Sequence, residues 1–137
     1  MQFIQNNLAL VGLVVFSGLM IFWPIVNRRI SGIKEVGVTE ATQLINHHDA
    51  LVLDVREDQE YAGGRIPHAK HIPLRQLSSR LHELEKFKTK PIIAICRSGA
   101  RSGHGCSVLR KNGFEQVYNL NGGMMSWQQA NMPVEKK

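Results

Sequence analysis

Residues 91–102 read PIIAICRSGARS, and they are the strongest indication of the fold that we expect. Its first five residues form an apolar run that begins at a proline, which is typical of a strand buried in a sheet. Cys96 follows directly at the end of the run. Residues 103–112 then predict a helix that ends at Gly113. The stretch therefore predicts a central strand, a loop that starts at a cysteine, and a helix.

The composition of this loop indicates a reactive thiol. Backbone N–H groups and the start of the next helix supply positive potential there. Arg97 and Arg101 add two permanent cations. Each of these features favours the thiolate and lowers the pKa of the Cys96 thiol. The alternative is a cysteine that only packs at a strand end, but such a residue has no need of two arginines and two glycines nearby.

A second strand is predicted at residues 51–55, and it ends in polar side chains. Because the carboxyl ends of parallel strands meet at one edge of a sheet, Asp54 and Arg56 are expected on the same edge as Cys96. We interpret both as supports that hold the neighbouring loops by charged hydrogen bonds. Glu60 lies on a short helical turn and is expected to pair with Arg56.

The remaining elements complete an alternating pattern. Methionine and tryptophan side chains near the C-terminus, Met124, Met125 and Trp127, are expected to pack against the sheet. Strands alternating with helices predict an α/β fold in layers around a small, mostly parallel central sheet. We expect this domain at 36–131 and a C-terminal tail at 132–137. The other strands are predicted at 69–72 and 117–120, and the helices at 39–47, 74–84 and 124–130.

The N-terminal segment is apolar and uncharged. Residues 8–26 read LALVGLVVFSGLMIFWPIV, which is long enough to cross a bilayer, and Trp23 suits a membrane interface. We predict a transmembrane anchor at 1–27 and a linker at 28–35. A signal peptide or a buried core helix are the alternatives, but basic residues follow the apolar run rather than precede it, and the run is apolar on every side.

The basic residues after the apolar run predict an orientation. Positive charge that flanks a span stays on the cytoplasmic side, so we expect a single-pass protein of a bacterial inner membrane with its larger domain facing the cytoplasm. A reducing cytoplasm suits a domain whose cysteine stays unpaired. The residues in question are Arg28, Arg29 and Lys34.

The overall composition limits the ligands. The chain has 137 residues and a formal net charge of +6, which favours anionic partners. The basic residues are scattered and are not interleaved with aromatics, so nucleic acid is not predicted. Cys106 is the only other cysteine and forms no CxxC pair, and the six histidines are dispersed, so a zinc site is not expected. We expect Cys106 to pack in the core, with a resolving thiol as the alternative.

Two reaction classes suit a cysteine in a loop of backbone amides that an arginine closes. One is phosphoester hydrolysis through a phosphocysteine, and the other is sulfur transfer through a cysteine persulfide. The size of the loop should discriminate between them, because a tetrahedral phosphate needs more room than a sulfur atom on the cysteine. Four residues separate Cys96 from Arg101.

Four motifs in order resemble the rhodanese family of sulfurtransferases. The loop CRSGAR at 96–101 is similar to that family's six-residue active-site loop, whereas the loop of related phosphatases is one residue longer. LDVR at 53–56 resembles the end of a family strand. Residues 60–69, EYAGGRIPHA, are similar to a family segment that contains a Gly-His-Ile-Pro-Gly sequence, and NGGMMSW at 121–127 resembles its closing motif. The resemblance covers about 36–130 and is closest to bacterial, membrane-anchored members with one such domain.

The resemblance implies a function for the loop. Cys96 would take a sulfane sulfur from a donor anion such as thiosulfate and pass it, as a persulfide, to a thiol or protein acceptor, without a cofactor. Asp54, Arg56 and Glu60 would support the site, and the anchor implies membrane-associated partners. A membrane-bound adaptor with little turnover is the alternative, followed by a phosphatase. The residues expected to bind the donor and the persulfide are Arg97, Ser98, Gly99, Ala100, Arg101 and Ser102.

Two residues depart from the family pattern. Arg65 stands where the family usually has histidine, and His68 stands where it usually has glycine. His68 must therefore accept a backbone conformation that glycine took there. Arg65 is expected to add positive potential near the mouth of the site, so the two departures bear on the choice of substrate rather than on the chemistry.

Overall fold

The computed structural model of the chain describes residues 1–31 and 33–136. The chain divides after Ser31 into a helical N-terminal unit and a second unit that contains the sheet. The first unit consists of helix α1 (Gln2–Asn6) and helix α2 (Leu8–Ser31). Within α2, Leu8–Val26 is long and apolar enough to cross a membrane, and none of this segment is buried within the protein. By length and composition it fits a membrane span or a signal sequence.

The second unit is built on one five-stranded parallel sheet, so the expected α/β fold with a parallel sheet is confirmed. The strand order is β1-β5-β4-β2-β3. The central strand β4 is buried along its whole length, as its apolar run predicted. The strands are β1 (Ile33–Val36), β2 (Leu51–Asp54), β3 (Lys70–His71), β4 (Pro91–Ile95) and β5 (Gln116–Leu120).

Helices connect these strands and cover both faces of the sheet. One helix was predicted at 74–84, but the structure has a short α-helix and a separate 3₁₀ helix there. The leucine spacing fits both, because a period of three also matches a 3₁₀ turn, and Leu77 and Leu84 are fully buried. The helices are α3 (Val38–His48), α4 (Asp58–Ala62), α5 (Leu74–Leu77), the 3₁₀ helix (Leu81–Phe87), α6 (Ala100–Lys111) and α7 (Gly123–Gln129).

The apolar core consists of two clusters, one on each face of the sheet. Alternate residues of β4 enter different clusters, because successive side chains of a strand point to opposite faces. Cys96 lies in the first cluster, together with α6 and the leucines of α5 and the 3₁₀ helix. The second cluster contains residues of α3 and α7, including Trp127. The layer arrangement places the end of β4 between α6 and α7.

Both segments that adjoin the domain expected at 36–131 contact it. Of the linker predicted at 28–35, the last three residues belong to β1 and pair with β5. Helix α2 continues to Ser31, and Gly32 lies outside the described residues. The tail expected at 132–137 packs against the domain: the backbones of Arg65 and Glu135 exchange hydrogen bonds of 2.9 and 2.8 Å, and the Trp127 indole donates to the Pro133 carbonyl.

Candidate active site

Cys96 lies at the carboxyl end of β4, where a short loop leads into α6. The loop ends at Gly99, whose φ of 108° belongs to a region that side chains disfavour. This conformation turns the Gly99 N–H back towards the cysteine, and it donates to Cys96 Sγ over 3.0 Å. The Ser102 hydroxyl, one turn into α6, lies 3.3 Å from the same sulfur. The end of β4 and the start of α6 therefore enclose the sulfur with hydrogen-bond donors.

The balance of burial and hydrogen bonding lowers the pKa of Cys96. Burial alone raises the pKa of this thiol, because Cys96 is only 1% exposed. Hydrogen bonds from the Ser102 hydroxyl and from the backbone N–H groups of Ser102, Gly99 and Ser98 outweigh burial, so the pKa lies below its ordinary value. These neutral donors, rather than the two arginines, make the largest contributions in favour of the thiolate.

Arg101 is engaged by a carboxylate. Its guanidinium donates to both carboxylate oxygens of Glu60, over 2.7 and 2.9 Å. This bidentate pair lowers the pKa of Glu60 to about 2 and raises that of Arg101. Glu60 was expected to pair with Arg56, but that side-chain pair is not formed. In this structure Arg101 joins the loop that follows Cys96 to α4, whereas we expected it to hold a donor anion.

Arg97 occupies a different position. Its side chain is exposed, and within the part of the chain that the structure describes it has no ion pair. It lines a cavity of about 320 Å³ next to the loop. Met125, which was expected to pack against the sheet, is 49% exposed and lines the same cavity. The other lining residues include Gln59, Gly63, Gly64 and Gln128.

Asp54 and Arg56 form a buried ion pair on the same edge of the sheet. The closest contact between the Arg56 guanidinium and the Asp54 carboxylate is 2.7 Å, and the two residues are 5% and 0% exposed. The guanidinium also donates to the backbone carbonyls of Glu60 and Gly64. The pair therefore holds two segments at the end of β2: α4, through the Glu60 carbonyl, and Gly64, which lines the cavity.

The start of α7 is hydrogen-bonded to the backbone of Cys96 and Arg97. The Met124 N–H donates to the Cys96 carbonyl over 2.8 Å, and the Met125 N–H donates to the Arg97 carbonyl over 3.1 Å. This approach requires glycine at position 123, since a Cβ there would collide with the Cys96 carbonyl oxygen. The double glycine that resembled a family motif thus allows α7 to approach the loop.

Sequence reasoning missed two polar residues beside the site. Asn119 of β5 is 4% exposed, and its Oδ1 lies 2.5 Å from the Ser102 hydroxyl. Its amide nitrogen donates to Glu35 of β1 over 3.1 Å. An asparagine inside an otherwise apolar strand was a signal that could have identified it, because buried polar groups need partners. Glu35 left no comparable signal, since β1 itself was not predicted.

The other sequence-predicted residues have the following positions. Ser98 and Ala100 are exposed, and a hydrogen bond from the Ser98 backbone N–H helps to lower the pKa of Cys96. Cys106 is fully buried in the first core cluster, and burial raises its pKa to about 12. His68 has a φ of 65°, so the expected glycine-like backbone is confirmed. The Arg65 guanidinium stacks on Tyr61 at 4.6 Å.

Comparisons with known proteins agree with this architecture. Residues 37–130 match the family described as the rhodanese-like domain. A protein named sulfurtransferase from Allochromatium vinosum is 35% identical over 92 residues, which is 67% of this chain and 84% of that protein. The uncharacterised protein YibN of Escherichia coli K12 is 35% identical over 105 residues, which is 76% of this chain and 73% of YibN.

A solved structure supports the same assignment. The crystal structure of a rhodanese-related protein from Thermoplasma volcanium superposes with a TM-score of 0.68 and 28% identity, covering 76% of this chain and 99% of that one. The family match at 37–130 includes the strand, loop and helix that enclose Cys96. Because this match spans more than half of the chain, and relatives that are 35% identical are covered over 84% and 73% of their own length, the chain belongs to the rhodanese-like domain family.

Proposed function

We propose that this protein is a membrane-anchored sulfurtransferase that moves a sulfane sulfur from a donor anion to a thiophilic acceptor through a persulfide on Cys96. The observation that carries the proposal is the set of donors around Cys96 Sγ: the Gly99 N–H at 3.0 Å and the Ser102 hydroxyl at 3.3 Å. These donors favour a thiolate, which is the nucleophilic form of cysteine.

The proposed reaction has two half-reactions. In the first, Cys96 Sγ forms a bond to the outer sulfur of thiosulfate, the bond between the two thiosulfate sulfurs breaks, and sulfite leaves with the electron pair. In the second, an acceptor such as cyanide or a thiolate attacks the outer sulfur of the persulfide, and the electron pair returns to Cys96 Sγ. The loop donors would stabilise the sulfur whenever it carries negative charge.

The depth of the sulfur supports transfer of a single atom. Cys96 is 1% exposed, so a reactant must present a narrow terminal atom to reach it. A terminal sulfur meets this requirement better than a tetrahedral phosphoryl group. The depth of Cys96 Sγ therefore favours sulfur transfer over phosphoester hydrolysis.

The apolar part of α2 is the basis for the proposed location. Leu8–Val26 has the length of a membrane span, and none of its residues is buried within the first unit. Basic residues follow it in the sequence, which favours a single-pass orientation with the catalytic domain in the cytoplasm of a bacterial cell. An anchored domain would meet membrane-associated acceptor proteins at raised local concentration.

Intact-mass measurement tests the proposed function. The full-length protein in nonionic detergent is incubated with thiosulfate, beside Cys96→Ser and Cys106→Ser. We expect one added sulfur atom on the wild type and on Cys106→Ser, none on Cys96→Ser, and loss of the adduct when cyanide is added. A folded protein with a reduced Cys96 and no adduct would contradict thiosulfate as donor and favour the adaptor alternative.

Replacing Arg97 with alanine is expected to weaken donor binding. Among the described residues, Arg97 is the cation that lines the cavity without an ion pair. Its replacement should therefore raise the KM for thiosulfate about fivefold and leave kcat nearly unchanged. Since the contact is exposed and electrostatic, the difference should shrink at high ionic strength. Steady-state kinetics with cyanide as acceptor, at low and high salt, measure both effects.

The matched control for this variant is Lys86→Ala. Lys86 is an exposed cation of the 3₁₀ helix, and its removal changes the net charge by the same amount. We expect an unchanged KM for thiosulfate. If both variants raise the KM equally, the overall charge of the domain rather than Arg97 attracts the donor.

A further inference from the structure

The Ser102 hydroxyl has one proton and three acceptors within reach. Its oxygen lies 3.3 Å from Cys96 Sγ, 3.2 Å from the Gly99 carbonyl and 2.5 Å from Asn119 Oδ1. A hydroxyl donates one hydrogen bond at a time. Ser102 is fully buried, so whichever acceptor it uses decides how the sulfur is solvated.

Asn119 is held so that its oxygen faces Ser102. Its two amide protons are directed to the Gly99 carbonyl at 3.0 Å and to the Glu35 carboxylate at 3.1 Å. The reverse orientation would place the amide oxygen against both of these acceptors. The amide is therefore oriented by groups from the catalytic loop and from β1, and Asn119 Oδ1 offers the Ser102 proton its shortest bond.

This arrangement makes Asn119 and Cys96 competitors for one proton. When the sulfur is a neutral thiol, the short bond to Asn119 Oδ1 is the better one. When the sulfur is a thiolate, the charge strengthens the bond to Cys96 Sγ, since hydrogen bonds to ionised acceptors are about twice as strong as neutral ones. Rotation about the Cβ–Oγ bond of Ser102 moves the proton from one acceptor to the other.

We propose that the Ser102 hydroxyl is a two-position donor that alternates between Asn119 Oδ1 and Cys96 Sγ, and that Asn119 is a positioning residue of the active site. Asn119 keeps the buried hydroxyl satisfied while Cys96 is neutral. It thereby stabilises the neutral sulfur relative to the thiolate.

The role in turnover rests on the proposed function. In the persulfide, Cys96 Sγ is bonded to the outer sulfur and has no formal charge, so the Ser102 proton returns to Asn119. When the acceptor removes the outer sulfur, negative charge reappears on Sγ and the hydroxyl turns back to it. Each half-reaction is then accompanied by one rotation of the hydroxyl and no net transfer of its proton.

The same charged and titratable groups surround Cys96 in the wild type and in the Ser102 and Asn119 variants of the test. The Ser102 and Asn119 substitutions used below are between neutral residues, so none of them changes a charge at the site. The groups come from β1, β2, the loop, α4 and α6: Glu35, Asp54 paired with Arg56, Arg97, Glu60 paired with Arg101, and Cys106.

Thiolate titration tests the proposal without any sulfur chemistry. The ultraviolet absorbance of the thiolate is followed against pH in the full-length protein in nonionic detergent, with Cys96→Ser as the blank. Cys106 stays protonated over this range because its pKa is raised to about 12. We expect Ser102→Ala to move the midpoint to higher pH. Asn119→Ala and Asn119→Val should move it to lower pH, with about a threefold larger thiolate fraction below the midpoint.

The double variants separate positioning from a merely structural role. In a Ser102→Ala background the Asn119 substitutions should no longer move the midpoint, because no hydroxyl remains to be shared. A shift of equal size in that background would overturn the proposal, as would a shift to higher pH in the single variants. If neither Asn119 variant folds by circular dichroism, Asn119 is a folding residue and the proposal is abandoned. If the midpoints shift as expected but the mass test shows no persulfide, thiosulfate is contradicted as the sulfur donor, while the exchange of the Ser102 proton between Asn119 and Cys96 stands.

Discussion

Asp54→Ala is expected to lower the free energy of unfolding by about 3–5 kcal/mol, because it leaves the Arg56 guanidinium buried without its counter-ion. Arg56 is 5% exposed, and it would keep only the carbonyl oxygens of Glu60 and Gly64 as acceptors. Because these carbonyls belong to α4 and to Gly64, which lines the cavity, loss of the ion pair should also displace residues of the candidate active site. Denaturant unfolding of the full-length protein in detergent, followed by the fluorescence of buried Trp127, measures the change.

The control is a carboxylate–cation pair at the surface. Lys88 Nζ lies 3.1 Å from Glu85 Oε1, and the side chains of Glu85 and Lys88 are 66% and 39% exposed. Glu85→Ala should change the free energy of unfolding by no more than about 0.5 kcal/mol, since water solvates the remaining charge. Equal losses for Asp54→Ala and Glu85→Ala would mean that water reaches Arg56 and that the buried pair is not a structural support.

The sequence predicted the centre of the fold because the signals there are local. The apolar run of β4, the cysteine that follows it and the helix after it lie within about twenty consecutive residues. Periodicity and turn residues report on such short stretches. The edge strand β1 was missed because half of its four residues are charged and it lacks the apolar run that marked β4, so only its pairing with β5 defines it.

The contacts of the site were less predictable because they join distant parts of the chain. Glu60 meets Arg101 across 41 residues, and Glu35 meets Asn119 across 84. Sequence reasoning assigned Arg101 to the donor because the arginine closes the loop, and it had no means to see that α4 brings a carboxylate to it. Residue type therefore led to the hypothesis for the chemistry of the loop, whereas the different contacts of Arg97 and Arg101 required the fold.

Gly123→Ala is expected to reduce the proposed sulfur transfer by about a hundredfold, because it displaces the backbone that holds Cys96. Gly123 has a φ of 53°, and a Cβ there would collide with the Cys96 carbonyl oxygen and approach the Arg97 backbone. The hydrogen bond from the Met124 N–H to that carbonyl would have to lengthen or break. A displacement of about 1 Å at a reacting group can cost two orders of magnitude in rate. The rate of cyanide-dependent turnover of thiosulfate measures the loss.

Gly105→Ala is the matched control for this prediction. Gly105 lies in α6, and a Cβ there would make ordinary contacts of 3.5–3.6 Å with Leu77, Leu74 and Val55. Alanine also favours a helix over glycine by about 1 kcal/mol, so this variant should keep its activity and gain slightly in thermal stability. The two substitutions add the same methyl group to buried glycines on either side of Cys96. If Gly123→Ala retains full activity, the contact of α7 with the loop does not position the sulfur, and the hydrogen bonds from Gly99 and Ser102 are sufficient to hold it.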